Sequence, residues 1–182
     1  MEGNKTASQK KQSHVALQLA TATIFAALVC AATVIFVISI PATSGYFNLG
    51  ETVIYIAALL FGPYVGAVSG GIGASAADIM LAPQFALGTL VIKGLEGAII
   101  GFLKSSLAKR NANQILSSIA ATTVGGLEMV AGYFLYEQIV LGYSMAAALS
   151  EIPFNIVQML IGIIVAVPIA GIVSLVFPQL KS

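Results

Sequence analysis

The chain has 182 residues, of which 58% are hydrophobic and only 8% are charged, a balance that a water-soluble domain of this size could not bury in one core. Its net charge is +1, and its seven lysines and one arginine are dispersed along the chain, which excludes the basic stripe of a nucleic-acid-binding protein. The single cysteine excludes an internal disulfide and a cysteine-built zinc site. The composition therefore predicts one membrane domain.

The chain begins with a polar segment. Residues 1–14 carry three lysines and are predicted to form a disordered cytoplasmic tail. The uncharged run from Val15 to Ile40 is longer than the core of a signal peptide, so we expect it to remain as the first span. The remainder, 15–182, is predicted to be a single transmembrane domain.

A second uncharged stretch is interrupted at Gly62–Pro63, and it has room for either one tilted span or two short ones. The basic loop at residues 104–110 should lie on the same side as the N-terminal lysines, because positive residues favour the cytoplasmic face. This requires an even number of crossings between them. Two short spans, at about 48–61 and 63–81, satisfy the requirement.

These observations predict an all-α membrane protein with six transmembrane helices and with both termini in the cytoplasm. The spans are placed at about 15–40, 48–61, 63–81, 85–104, 114–139 and 147–177. The loops on the outer side contain no lysine or arginine, whereas Glu51, Asp78, Glu137 and Glu151 lie close to that side. The outer mouth of the bundle should therefore be acidic.

Small residues recur at four-residue spacing along the third and fourth spans. Gly66 and Gly70 lie on one face of the third span, and Gly97 and Gly101 on one face of the fourth. Such rows let helix backbones approach closely where lipid provides no hydrophobic drive for association. We interpret them as packing faces inside the bundle.

The first span has more small surface than one neighbouring helix needs. Its rows include Ala22, Ala26, Ala27 and Ala31 and occupy more than one face. They indicate either internal packing or a docking surface for another membrane protein.

Charged residues inside the fourth and fifth spans mark a candidate site, because charge at membrane depth normally faces a cavity or a partner. Lys93 is placed about 13 Å and Glu128 about 16 Å below the outer ends of their helices. Glu96 lies one helical turn after Lys93. These residues form an ion pair, contact a ligand, or do both.

Polar residues also share one face of the last span, where Glu151, Asn155 and Gln158 follow one another at helical spacing. An amide pair can read the donors and acceptors of a heterocycle. The alternative is that these side chains form hydrogen bonds between helices.

The first outer loop contains Tyr46 and Asn48 among small polar residues, which suits a lid with one aromatic ring to stack on a ligand. An ordinary connection between spans would use similar residues. Tyr136, near the outer part of the fifth span, is either a further contact or a member of the interfacial aromatic belt.

Catalytic machinery is not evident in the sequence. It contains no GxxxxGK[ST] phosphate loop, and His14 is its only histidine, which excludes an HExxH zinc site and a histidine-based triad. We therefore expect no enzyme activity, no metal and no cofactor.

Two segments carry a family resemblance. The first runs from Phe47-Asn-Leu-Gly-Glu51 through Ala58-Leu-Leu-Phe-Gly-Pro63 and Gly-Gly-Ile-Gly73 to Asp78, and the second is Ile92-Lys-Gly-Leu-Glu-Gly97. Both resemble the substrate-binding S components of energy-coupling factor (ECF) transporters. The likeness covers nearly the whole chain, and the most similar group includes riboflavin and hydroxymethylpyrimidine or pyridoxine carriers.

The resemblance implies a multi-pass subunit of a prokaryotic cell membrane that binds a vitamin from outside. A separate membrane coupling subunit and two ATPases would drive its release. In the family, a small-residue face of the first helix docks on the coupling subunit, and the matching positions are the four alanines of the first span. The family site lies on the outer side, where Asn48, Lys93, Glu128, Asn155 and Gln158 are found.

The leading hypothesis is high-affinity capture of a small heterocyclic vitamin or precursor. Glu128 opposite an aminopyrimidine or pyridine ring favours a hydroxymethylpyrimidine or pyridoxine type of ligand, with riboflavin as the runner-up. A stand-alone secondary carrier or channel, and a purely structural assembly subunit, are the hypotheses from other classes.

Overall fold

The computed structural model describes the backbone of residues 2–40, 43, 45–110 and 112–177, with side chains from residue 12 onward. In chain order the elements are α1 (Glu2–Ile35), β1 (Ile38–Ile40), β2 (Gly45–Phe47), α2 (Gly50–Leu81), α3 (Ala86–Ala108), α4 (Gln114–Ile139) and α5 (Met145–Val176). All five helices contain a stretch long and apolar enough to cross a membrane. Large aliphatic side chains such as Leu87 and Leu175 point outward, as lipid-facing residues do.

Helix α1 differs from the predicted first span at both ends. It begins at Glu2, so the segment predicted to be a disordered tail continues the helix. The segment contains no proline, and each added helical residue gains a hydrogen bond once the span has nucleated the helix. The helix ends at Ile35 rather than Ile40, because Ile38 and Ile40 are β-branched and the residue before Pro41 disfavours helical backbone angles.

Helix α2 folds back on itself at Gly62. This residue has φ 82° and ψ −171°, a conformation that is almost restricted to glycine. A Cβ atom on Gly66 would lie 2.7 Å from the Cβ atom of Ala58, although eight residues of straight helix span about 12 Å. The two halves, 50–61 and 63–81, therefore lie side by side in opposite directions.

The break predicted at Gly62–Pro63 is thus present. The predicted count of six helices is not confirmed, because the structure has five helices in its described part, one of which is folded in two. The cytoplasmic location of both termini stays a prediction.

Helices α2 and α3 pack backbone to backbone. A Cβ atom on Gly97 would collide with the backbone of Gly66, and one on Gly101 would collide with the backbone at Gly62–Pro63. Gly94, on the next face of α3, has its nearest neighbour 3.7 Å from such an atom. The glycine rows therefore form internal packing faces, as the sequence predicted.

The three loops predicted to face outward meet at one end of the bundle. Strands β1 and β2 form an antiparallel hairpin with Ile38 opposite Phe47. The Tyr143 hydroxyl, in the loop before α5, donates to the carbonyl of Thr43 at 2.9 Å. The Tyr136 hydroxyl donates to the carbonyl of Gln84, in the loop before α3, at 2.8 Å. A cavity opens beneath this loop cluster.

Candidate functional site

The cavity lies under the β1–β2 hairpin, between the hairpin and helices α2 to α5. The space between its lining atoms is about 500 Å³, including the part that opens outward. Its lining combines carboxylates, amides, one lysine and aromatic rings.

Three ionisable side chains lie at the floor of the cavity and directly behind it, and we call Glu51, Lys93 and Glu96 the lysine cluster. The Lys93 ammonium forms ion pairs with Glu51 and with Glu96, the latter at 3.1 Å. The Tyr55 hydroxyl donates to Glu96 at 3.4 Å. All of these side chains are buried, so the charge of Lys93 is balanced inside the protein.

Two amides from α5 lie next to the lysine cluster. Gln158 accepts a hydrogen bond from the backbone N–H of Asn48 at 2.9 Å and reaches Glu51 with its Nε2 atom at 3.5 Å. Gln158 therefore joins the end of the hairpin to the cavity floor. Asn155, which is 9% exposed, also lines the cavity, and its side chain makes no hydrogen bond to other described residues. Its donors and acceptor are available to a ligand.

The hairpin is fastened to α2 by its own tyrosine. The Tyr46 hydroxyl donates to the carboxylate of Asp78. Burial, and next the negative charge of Asp78, raise the pKa of Tyr46 far above its ordinary value, so the phenol stays protonated and remains a donor.

A second fastening holds the hairpin to α5. The Thr43 hydroxyl donates to the carboxylate of Glu151, and a Cβ atom on Gly45 would collide with that carboxyl group. A larger residue at position 45 would therefore have to displace the Glu151 carboxyl group.

Glu151 faces Glu137 from the neighbouring helix, and we call these two residues the glutamate pair. Both residues line the cavity, and the Oε2 atom of Glu137 has no hydrogen-bond partner among the described residues. Burial, then the charge of Glu137 and more weakly that of Glu151, raise the pKa of the nearby Tyr143 hydroxyl. Neither ion pair of the described residues involves this pair, so its charge is not balanced within them.

Aromatic rings form the wall between the two charged groups. Phe85 lies at the centre, with ring centroids 6.4 Å from Tyr133, 6.3 Å from Tyr136 and 6.3 Å from Tyr143. Tyr133 is held by a hydrogen bond of 2.8 Å with the hydroxyl of Thr89. The contacts of Phe85 with Tyr133 and Tyr143 are edge-to-face, a geometry that aromatic pairs prefer, and they hold these rings together.

Six of the nine residues predicted to bind substrate line this cavity, namely Tyr46, Asn48, Lys93, Glu151, Asn155 and Gln158. Their contact with a substrate stays a prediction. The predicted pairing of Lys93 with Glu96 is confirmed.

The other three predicted binding residues do not line the cavity. Glu96 is fully buried behind Lys93. Glu128 is half-buried, does not pair with Lys93, and has an Oε2 atom without a partner among the described residues. Tyr136 packs on Phe85 and on the backbone of Gly88. Helical spacing gave the depth of these side chains but not the direction in which they point.

Several lining residues were not among the predicted site residues, including Glu51, Asp78, Tyr133 and Glu137. The sequence did contain a sign of them, because several carboxylates lie near the ends of apolar spans. This pattern predicted an acidic mouth, and the cavity lining is acidic. Within the described residues, no group of three or more histidine, cysteine, aspartate or glutamate side chains is arranged to hold a metal ion.

The four alanines predicted to dock a partner do not share one face. Ala22 packs with Ala57 and Val65 of α2, and Ala26 lies against the backbone at Gly73. Both are therefore covered by α2 in this structure. Ala27 and Ala31 are exposed, so a docking surface on α1 is limited to their side of the helix.

Comparison with known proteins adds three findings. A family model described as "ECF-type riboflavin transporter, S component" matches residues 14–174. A Pyrococcus woesei protein described as "Uncharacterized protein in gap 3'region" is 42% identical over 128 residues, which cover 70% of this chain and 82% of that protein. A structure titled "Structure and mechanism of the S component of a bacterial ECF transporter" superposes with a TM-score of 0.65 at 17% identity, covering 91% of this chain and 98% of that one. At this identity the structural match shows a common fold.

Proposed function

Because the chain belongs to the family of S components of ECF-type riboflavin transporters, we propose that it captures a small heterocyclic vitamin or vitamin precursor in the hairpin-covered cavity. S components are substrate-binding transport subunits and not enzymes. The five apolar helices fit a multi-pass integral membrane protein.

The observation that carries this proposal is the unengaged polar lining of the cavity. The Oε1 atom of Glu51 and the Oε2 atom of Glu137 are buried in the cavity lining and have no hydrogen-bond partner among the described residues. Buried polar groups are nearly always hydrogen-bonded in a stable protein. A ligand with several donors and acceptors would supply the missing partners, and Phe85 and Tyr133 would contact its ring.

A hydroxymethylpyrimidine or pyridoxine type of ligand is favoured by the carboxylates. Glu51, Asp78, Glu137 and Glu151 all line the cavity, and carboxylates accept hydrogen bonds from amino and hydroxyl groups. Glu128 no longer supports this choice, since it lies outside the lining. The family description favours riboflavin as the second candidate.

We further propose that a membrane coupling subunit and two ATPases drive the release of the vitamin, with capture on the outer face and both termini in the cytoplasm. The exposed Ala27 and Ala31 mark the side of α1 on which a coupling subunit would dock, because small residues allow close approach between helices in lipid.

The first experiment is native mass spectrometry of the protein purified from cells grown in rich medium. It is followed by thermal-shift titration of the ligand-free protein with riboflavin, pyridoxine, hydroxymethylpyrimidine and thiamin. A vitamin that co-purifies and also raises the unfolding temperature would support the proposal and identify the substrate. No stabilisation by any of the four would contradict it.

A stand-alone secondary carrier is distinguished by reconstitution. The protein alone in proteoliposomes should show no gradient-driven uptake of the vitamin. Uptake without ATPase subunits would replace the S-component mechanism by that of a carrier.

A further inference from the structure

The lysine cluster and the glutamate pair differ in whether an ammonium group of the protein pairs with their carboxyl groups. The lysine cluster contains the ammonium group of Lys93, which pairs with both of its carboxylates. Among the described residues, the glutamate pair accepts a side-chain hydrogen bond from the neutral hydroxyl of Thr43. No lysine, arginine or histidine of the described residues forms an ion pair with it.

Glu137 is the residue that requires a partner. It is 1% exposed, it lines the cavity, and its Oε2 atom accepts no hydrogen bond among the described residues. An unpaired buried carboxylate beside a second carboxylate is unfavourable, because burial removes hydration and the two charges repel. The Oε2 atom of Glu137 is therefore a defined acceptor for a positive donor.

The surroundings of the glutamate pair favour an organic cation attached to a ring. Phe85 contacts the rings of Tyr133 and Tyr143 and lines the same cavity as the pair. Aromatic faces attract organic cations, and a bare metal ion would require more oxygen ligands than two carboxylates and one hydroxyl provide. No metal-binding group of three or more residues is present in the part of the chain that the structure describes.

Building on the proposed capture of a heterocycle, we propose that the glutamate pair binds a protonated amino group of that ligand. The ammonium donates hydrogen bonds to Glu137 and Glu151, while the ring lies along the aromatic wall toward Asn155. The recognised ligand is thus a cationic heterocycle rather than a neutral or anionic one.

The test uses two pairs of probes that differ in a single group. The first pair is pyridoxamine and pyridoxine; the second is the aminomethyl and hydroxymethyl forms of 4-amino-2-methylpyrimidine. In each pair one member carries an ammonium where the other carries a hydroxyl. Because an ammonium adds a Coulomb attraction to the carboxylates that a hydroxyl lacks, the ammonium member of the pair that binds should bind at least about tenfold more tightly.

Substitutions test whether the glutamate pair causes the preference for ammonium over hydroxyl probes. Glu137→Gln keeps the shape of the side chain and should reduce the affinity ratio between ammonium and hydroxyl probes below about threefold. It should also raise the unfolding temperature of the ligand-free protein, because the repulsion with Glu151 is removed. Glu151→Gln gives a second variant with the same expectation. Glu128→Gln, on the same helix as Glu137 but outside the cavity lining, should keep the full ratio.

The outcomes separate this inference from the proposed function. If no heterocycle binds, the proposed function fails and the inference fails with it. If riboflavin or the hydroxyl probes bind as tightly as the ammonium probes, the function stands and the inference is overturned. A ratio that Glu137→Gln and Glu151→Gln leave unchanged overturns it as well. Stabilisation by calcium or sodium alone that is lost in Glu137→Gln would reassign the pair to an inorganic cation.

Discussion

The two walls of the cavity are built differently. Helices α2 and α3 meet through bare backbone at glycines such as Gly66 and Gly97, and the ion pairs of the lysine cluster join them. Helices α4 and α5 are separated by the long side chains of Met129 and Met159, and they carry the glutamate pair, whose charge is not balanced among the described residues.

The wall of α2 and α3 should therefore contribute mainly to the stability of the protein, and the wall of α4 and α5 mainly to the recognition of the ligand. Backbone contacts and a buried ion cluster cannot adjust without loss of packing, so the wall of α2 and α3 is a fixed frame. Methionine side chains adapt their shape readily, and unpaired polar groups become satisfied only when a ligand arrives. Substitutions in the first wall should therefore change mainly the stability of the protein, and those in the second mainly the affinity for the ligand.

Replacement of Lys93 by methionine should have the largest effect. It leaves two buried carboxylates without a counter-ion, which costs about 3–5 kcal/mol, and the unfolding temperature in detergent should fall sharply. Lys109→Met, at an exposed position, is the matched control and should change little. If Glu51→Gln and Glu96→Gln are added to Lys93→Met, part of the stability should return. Equal stability of Lys93→Met and the native protein would show that the lysine cluster is not part of a fixed frame.

Replacement of Asn155 by alanine should reduce the affinity for the ligand rather than the stability of the protein. The loss of a buried amide contact costs about 1–3 kcal/mol of binding free energy, a five- to two-hundredfold weaker affinity, which titration calorimetry with the identified vitamin would measure. Ile156→Ala changes the next residue of α5, which is partly exposed, and serves as the control. Unchanged affinity in Asn155→Ala would favour the assembly-subunit hypothesis.

Substitution of glycines on α3 tests the backbone contact directly. Gly97→Ala places a methyl group against the backbone of Gly66, so stability should fall by about 1–3 kcal/mol. Gly94→Ala introduces the same group three residues earlier into ordinary contact at 3.7 Å, and it should stabilise slightly because alanine favours helix. Denaturant unfolding of the two variants measures the contrast, and similar values for both would contradict backbone packing between α2 and α3.

The smallest expected effect concerns the hairpin. Tyr143→Phe removes the hydrogen bond to the carbonyl of Thr43, worth about 0.5–1.5 kcal/mol. If the hairpin closes over the bound vitamin, dissociation should become roughly two- to tenfold faster in a stopped-flow chase. Tyr64→Phe, at an exposed tyrosine, controls for the loss of a hydroxyl. A dissociation rate unchanged by Tyr143→Phe would show that this contact does not hold the hairpin closed.

Short-range patterns in the sequence predicted much of the fold. Glycine rows fixed the packing of α2 against α3, and the break at Gly62–Pro63 was visible as an interruption of an apolar run. Helical spacing also brought Glu151, Asn155 and Gln158 together in the cavity, because residues three or four apart always share a helix face.

Features that depend on distant contacts were harder to predict. Glu51 and Lys93 are 42 positions apart, and no local rule pairs them. Glu128 has nearly the predicted depth, but the rotation of α4 turns its neighbour Met129 into the core and leaves Glu128 outside the cavity. Depth along a helix follows from counting residues, whereas rotation about its axis follows from packing with the other helices.

The reversal of α2 at Gly62 has a consequence for stereochemistry. A Cβ atom at this position would meet nothing within 4 Å, so space is not what restricts the residue. The restriction comes from the positive φ angle, which is unfavourable for L-amino acids and, by mirror symmetry, favourable for D-amino acids. A chemically synthesised chain with D-alanine at position 62 should fold with the reversal intact, whereas its L-alanine epimer should not. Position 62 therefore restricts the chirality of the residue and not the size of its side chain.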